Sequence, residues 1–123
     1  MRARLIFDIN IVDAKSEQRE LLKWAARVDA GKAVADAVSQ LNFATYSQMH
    51  AALSEKRMEL LEFIAQHEGL NIRQIAAKIG RDYKNVYADT QLLLNLGLVA
   101  KRNNGLVAPY DEINIRKTLR KVA

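Results

Sequence analysis

Apolar and polar residues alternate from Leu5 to Val12. Leu5, Phe7, Ile9 and Ile11 fall on one face, opposite Ile6, Asp8, Asn10 and Val12. That period of two predicts a strand. The period then changes to helical spacing. Leu21, Trp24, Ala25 and Val28 recur on one stripe between Ala14 and Ala30, and Gly31 is a natural stop. Residues 32–44 are ambiguous, although Leu41 to Phe43 fits a short strand. Thr45 followed by Gln48 resembles a capping box and opens a short helix through Leu53.

Beyond residue 53 the pattern sharpens. Ser54 is placed to N-cap a helix to Glu68, with Met58, Leu61, Ile64 and Ala65 inward and Gly69 ending it. Asn71 with Gln74 makes another capping box. It opens a short helix with Ile72, Ile75, Ala76 and Ile79 inward, stopped by Gly80. Asp82 is placed to cap a third helix, with Val86, Thr90, Leu93 and Leu96 inward, stopped by Gly97. Two short extended pieces follow, at residues 98–100 and 105–108. Asn103-Asn104-Gly105 is a turn signal between them. Pro109 belongs at a strand edge or just past it. Ile113 and Ile115 alternate, which predicts one more strand.

Three helices followed by a hairpin is the order of a winged helix. The expected fold is therefore mainly α with a small β component (α+β): a winged helix-turn-helix preceded by an N-terminal strand–helix arm. Residues 1–53 form the arm, 54–115 the winged helix-turn-helix and 116–123 a basic tail. In such a fold the third helix enters the DNA major groove. Its outward positions carry Tyr83, Lys84, Asn85, Tyr87, Ala88 and Gln91. Lys84 offers a charge to phosphate or guanine, while Asn85 and Gln91 suit adenine. Arg73 and Arg81 sit where a phosphate backbone would pass. Lys101, Arg102, Asn103 and Asn104 form the hairpin tip.

Charge supports that reading. The chain has 123 residues and a net charge of +5, from 19 Lys and Arg against 14 Asp and Glu. The excess is local. Residues 71–102 hold Arg73, Lys78, Arg81, Lys84, Lys101 and Arg102 against Asp82 and Asp89. Arg116, Lys117, Arg120 and Lys121 make a second cluster. Such a footprint favours an anionic partner, with double-stranded DNA first. There is no cysteine, which excludes disulfides and thiolate chemistry. With only His50 and His67, no metal site or cofactor is expected. No apolar run approaches the roughly 18 residues of a membrane span, and Asp8 interrupts the opening apolar stretch, so a cytoplasmic protein is expected. No Ser/His/Asp spacing or phosphate loop appears, and the adjacent Asp111 and Glu112 would point to opposite faces of a strand. An enzyme is not expected.

The stretch from Ile72 through Gly80 to Val86, then Leu93 to Val99, then Val107 to Ile113, resembles a family of predicted prokaryotic transcriptional regulators of the MarR-like winged-helix type. The segments Gly80 to Val86 and Pro109 to Ile113 carry its specificity. Members are often encoded beside a small toxin gene, and some are regarded as antitoxins. The resemblance implies a repressor with a cognate toxin as a further partner. Ala88 stands where that family commonly has a basic residue, and Tyr87 where it often has His. Base preference therefore does not transfer. The resemblance is weak over residues 1–40.

The N-terminal segment needs its own account. An isolated strand leaves backbone groups unpaired. The strand at Leu5 to Val12 pairs with residues 41–43, with residues 113–115 or with another chain. Phe7, Leu21, Trp24 and Val28 are candidate contacts for a homodimer or a protein partner. The alternative function is a protein-binding neutraliser or interaction module whose winged helix contacts a partner protein rather than DNA.

Overall fold

The structure, a computed structural model, describes residues 4–12 and 40–120. Among these the element order is β1 (Ile6–Ile11), β2 (Gln40–Phe43), α1 (Tyr46–Ala52), α2 (Glu55–Gln66), α3 (Ile72–Ile79), α4 (Tyr83–Asn95), β3 (Ala100–Arg102), β4 (Gly105–Val107) and β5 (Glu112–Lys117). The chain divides into two units. One comprises residues 6–51 and 112–123, the other residues 1–5 and 52–111.

The first unit is built on β1. This strand lies at the centre of a three-stranded parallel sheet of order β2-β1-β5. Asp8 to Ile11 face Gln40 to Phe43, and Ile6 to Ile11 face Glu112 to Lys117. The alternation seen in the sequence becomes alternating burial. Phe7, Ile9 and Ile11 are buried, while Asp8 and Asn10 are half-buried. Fully burying an apolar side chain of this size contributes about 1.5–3 kcal/mol. Polar pairs cross the strands on the other face. The Asn10 amide donates to Asn42 Oδ1 at 3.2 Å, and Arg116 Nη2 donates to Asp8 Oδ1 at 3.3 Å. Arg116 and Lys117 thus belong to β5. Ahead of α1, the Gln48 N–H donates to Thr45 Oγ1, and Gln48 Oε1 accepts from the Ala44 N–H.

This sheet corrects the expected fold class. A winged helix-turn-helix preceded by a strand–helix arm is not the arrangement found. The molecule is a small α+β structure with four described helices, a parallel three-stranded sheet and a separate antiparallel pair. The N-terminal strand is no appendage, because both of its edges are paired within the chain. The physical reason is plain. Alternation specifies which side chains of a strand are buried, but not which strand lies beside it or in which direction.

In the second unit, helices α2, α3 and α4 pack around Leu60, Leu61, Ile64, Ile75, Ala76, Val86 and Leu93, with Leu98, Val99, Leu106 and Val107 closing the core. The caps follow local chemistry. Ser54 Oγ accepts from the Arg57 N–H at the start of α2. Asn71 and Gln74 form a complete capping box on α3. Gly80 ends α3 in the left-handed region at φ 69°, which a residue with a Cβ adopts only at a cost. Asp82 departs from expectation: it occupies the N-cap position of α4, but its side chain makes no capping hydrogen bond. Thr90 is fully buried, and its hydroxyl has no hydrogen-bond partner. No helix among the described residues is long and apolar enough to cross a membrane.

Candidate nucleic-acid interface

The hairpin β3–β4 turns on two residues, Asn103 and Asn104, with φ of 52° and 66°. Two successive positive φ values define the type I′ turn that matches strand twist, and Asn tolerates them best after Gly. The turn leaves Lys101, Arg102, Asn103 and Asn104 exposed.

Backbone contacts dock the hairpin beside the start of α3. The Gly69 N–H donates to Leu106 O at 2.9 Å, and the Leu106 N–H donates to Leu70 O at 2.9 Å. The closeness depends on Gly105. A Cβ at that position would overlap the backbone carbonyl of Gly69. Leu70 leads directly into Asn71, so the hairpin and the α3 N-terminus share one anchor.

A cleft of about 360 Å³ lies between them. Asn71 and Arg73 of the α3 start, Tyr83 of α4 and Lys101 and Asn104 of the hairpin form its polar rim, above Ile72, Gly105 and Leu106. No acidic residue lines it. The Arg73 guanidinium lies 5.5 Å from the centroid of the Tyr83 ring, a cation–π distance. Tyr83 also packs against Tyr87, with ring centroids 6.1 Å apart. Tyr83 thus borders both the cleft and the exposed face of α4.

On α4, Val86, Thr90 and Leu93 are buried. Tyr83, Lys84, Asn85, Tyr87 and Ala88 are exposed, and Gln91 is half-buried. Of the expected DNA-contacting residues, Arg73, Tyr83, Lys101 and Asn104 meet at the cleft. Lys84, Asn85 and Tyr87 extend that surface along α4, and Arg102 and Asn103 extend it along the hairpin. Arg81 behaves differently. Its Nη2 lies 2.7 Å from Asp89 Oδ2, while Arg57 Nε of α2 lies 3.0 Å from Asp89 Oδ1. Arg57 Nη1 also donates to Ala52 O at 3.2 Å. Arg81 is thus part of a mostly buried cluster that ties the start of α4 to α2, and its Nη1 is buried without a hydrogen-bond partner. It is not a free cation on the outer face.

Of the expected partner contacts, Phe7 is fully buried in its strand and offers no surface to a second protein. Leu21, Trp24 and Val28 lie outside the described residues. Sequence reasoning missed the Gly69–Gly105 approach and the bridging role of Asp89. Two glycines bracketing the α3–hairpin region were a usable signal for the first. The second had none, since Arg57 and Asp89 are 32 residues apart.

No curated protein and no solved structure matches the chain. One family model does match, over residues 52–115, and that stretch contains the α3 start, α4 and the hairpin. The family's description names neither a MarR-like regulator nor an antitoxin. The matched stretch makes up more than half of the chain, which therefore belongs to the HVO_A0114 family.

Proposed function

We propose that this chain is a double-stranded DNA-binding regulator of transcription that acts by occupying an operator. One observation carries the reading. Arg73 and Lys101 line an acid-free cleft, Lys84 and Arg102 stand exposed one residue from its lining in sequence, and α4 bears exposed amide and aromatic side chains. Phosphate contacts from such cations supply affinity and orientation, and side chains on an α-helix are of a size to enter the major groove. A single 13-residue helix reads only a few base pairs. Operator-grade affinity therefore calls for two copies on a two-fold site, and the reading includes a homodimer working in the cytoplasm.

Fluorescence anisotropy with a labelled duplex of random sequence tests this. Four phosphate contacts give a log–log salt slope of about −3.6 per copy, or a loss of roughly 100-fold between 50 and 200 mM salt. Replacing Arg73 and Lys101 together with Ala should about halve the slope. Absence of duplex binding, or binding indifferent to salt, would refute the proposal.

A further inference from the structure

The outer face of α4 carries a narrower chemistry than phosphate binding requires. Lys84 is the one cation among its exposed residues from Tyr83 to Ala88. Guanine is best read by Arg or Lys, and cytosine by an acidic side chain. Asp89 is the acid within α4, and it is mostly buried between Arg57 and Arg81, while the exposed Asp82 stands at the N-cap, ahead of the row from Tyr83 to Ala88. Exposed instead are an amide, Asn85, and three apolar surfaces, Tyr83, Tyr87 and Ala88. An adenine offers the N7 acceptor and N6 donor that an amide matches in pairs. A thymine offers a C5-methyl group that an apolar side chain can cover.

The two tyrosines are not equivalent. Tyr83 is engaged by the Arg73 guanidinium and by the Tyr87 ring. Tyr87 lies one turn further along, next to Ala88, and is 46% exposed. Its ring is braced by Tyr83 and leaves apolar area open to a ligand. Side chains four apart on a helix lie on one face, so Tyr83 and Tyr87 form a row, while Asn85, two positions from each, lies on the other flank of the exposed face beside Ala88, three positions on.

We infer that α4 reads A·T base pairs from the major groove, with Tyr87 and Ala88 covering thymine methyl groups and Asn85 pairing with adenine. This deepens the proposed function and rests on it. It names the base class that the same surface selects.

The test is selection from a randomised 20-bp duplex library, followed by remaking the selected duplex with altered bases. The selected core should be a run of A·T pairs. Deoxyuridine in place of thymidine removes only the methyl, and should weaken binding about fourfold per methyl covered. Inosine·cytosine pairs keep the minor-groove pattern of A·T but present the major-groove edge of G·C, so they should bind as poorly as G·C. In Tyr87→Ala, the gap between thymidine and deoxyuridine duplexes should shrink by the methyl that Tyr87 covers, leaving only the part due to Ala88.

A G·C-rich selected core would overturn the inference. So would indifference to deoxyuridine, or full tolerance of inosine·cytosine, which would mark a minor-groove reader. Each of these leaves duplex binding itself intact. Failure to select any duplex would overturn the DNA reading as well. Should Tyr87→Ala not fold, the comparison of duplexes with the unaltered protein still decides the matter.

Discussion

Gly105→Ala is a sharp probe of how the hairpin is held. The added methyl would overlap the Gly69 carbonyl, carbon and Cα, all of them backbone atoms that cannot rotate away. Relief requires β4 to move off the Gly69–Leu70 segment. That movement breaks two backbone hydrogen bonds of 2.9 Å, each worth about 1 kcal/mol net. Overpacking against fixed atoms adds about 1–3 kcal/mol. The stiffer unfolded chain returns about 0.4–1 kcal/mol. The expected net loss is about 2–4 kcal/mol, which lowers Tm by roughly 10 °C or more. Gly80→Ala is the control. A Cβ there meets nothing within 4 Å, so only the left-handed backbone at φ 69° opposes it, at about 1 kcal/mol. Urea titrations of the two variants by circular dichroism separate steric overlap from backbone strain. If Gly105→Ala comes within about 0.5 kcal/mol of the parent, or proves milder than Gly80→Ala, the docking argument is wrong.

Asp89→Asn removes the charge shared by Arg57 and Arg81, leaving two neighbouring guanidinium groups with side-chain exposures of only 27% and 23%. The groups are not fully dry, so the expected loss is about 2 kcal/mol, below that for a fully buried pair, and is read from the urea midpoint. Thr90→Val replaces a buried hydroxyl that has no hydrogen-bond partner with a methyl of similar size. It should stabilise the fold by about 1 kcal/mol in the same assay, and a loss of stability would show that the hydroxyl is satisfied. Burial pushes the Tyr110 phenol above its ordinary value of 10.0. The unfolded chain then ionises first, so the stability contributed by the neutral phenol is complete below pH 10 and is lost as pH rises through the folded pKa. In an ultraviolet titration, Tyr110→Phe should lose a tyrosine that ionises above the ordinary value of 10.0.

Local chemistry was readable where both partners lie within one turn of chain. Ser54, the Asn71–Gln74 box and the Asn103–Asn104 turn each rest on side-chain and backbone geometry spanning a few residues, and each appears as expected. Of the expected inward stripe, Val86, Thr90 and Leu93 are buried as helical period demands, while Leu96, at the helix end, is only half-buried. Asp82 shows the limit of such rules, since a side chain suited to capping need not cap. Sheet architecture was not legible. Residues 41–43 and 113–115 were both open as partners of the N-terminal strand, and the strand in fact uses both. No local signal distinguishes a parallel neighbour from an antiparallel one. For the candidate site, the residue types and their outward positions were readable, but the cleft was not. It exists because Gly69 meets Gly105 across a gap in sequence that periodicity does not span. Arg81 looked like a free cation for the same reason, with its acid eight positions away and a second arginine on another helix.

The pairing of β1 with β5 also constrains the order in which the molecule assembles. Leu5 and Asp111, the residues just before the two strands, exchange hydrogen bonds across a separation of 106 residues. During synthesis the central strand waits for the long intervening stretch to emerge before its second neighbour exists. Helices α2 to α4 and the hairpin need no such delay, because their contacts close over shorter loops. On the ribosome the cleft-bearing half is therefore complete first, while one edge of β1 stands open to any other extended chain. The strand exposed to mispairing is therefore made long before the residues that cover that edge.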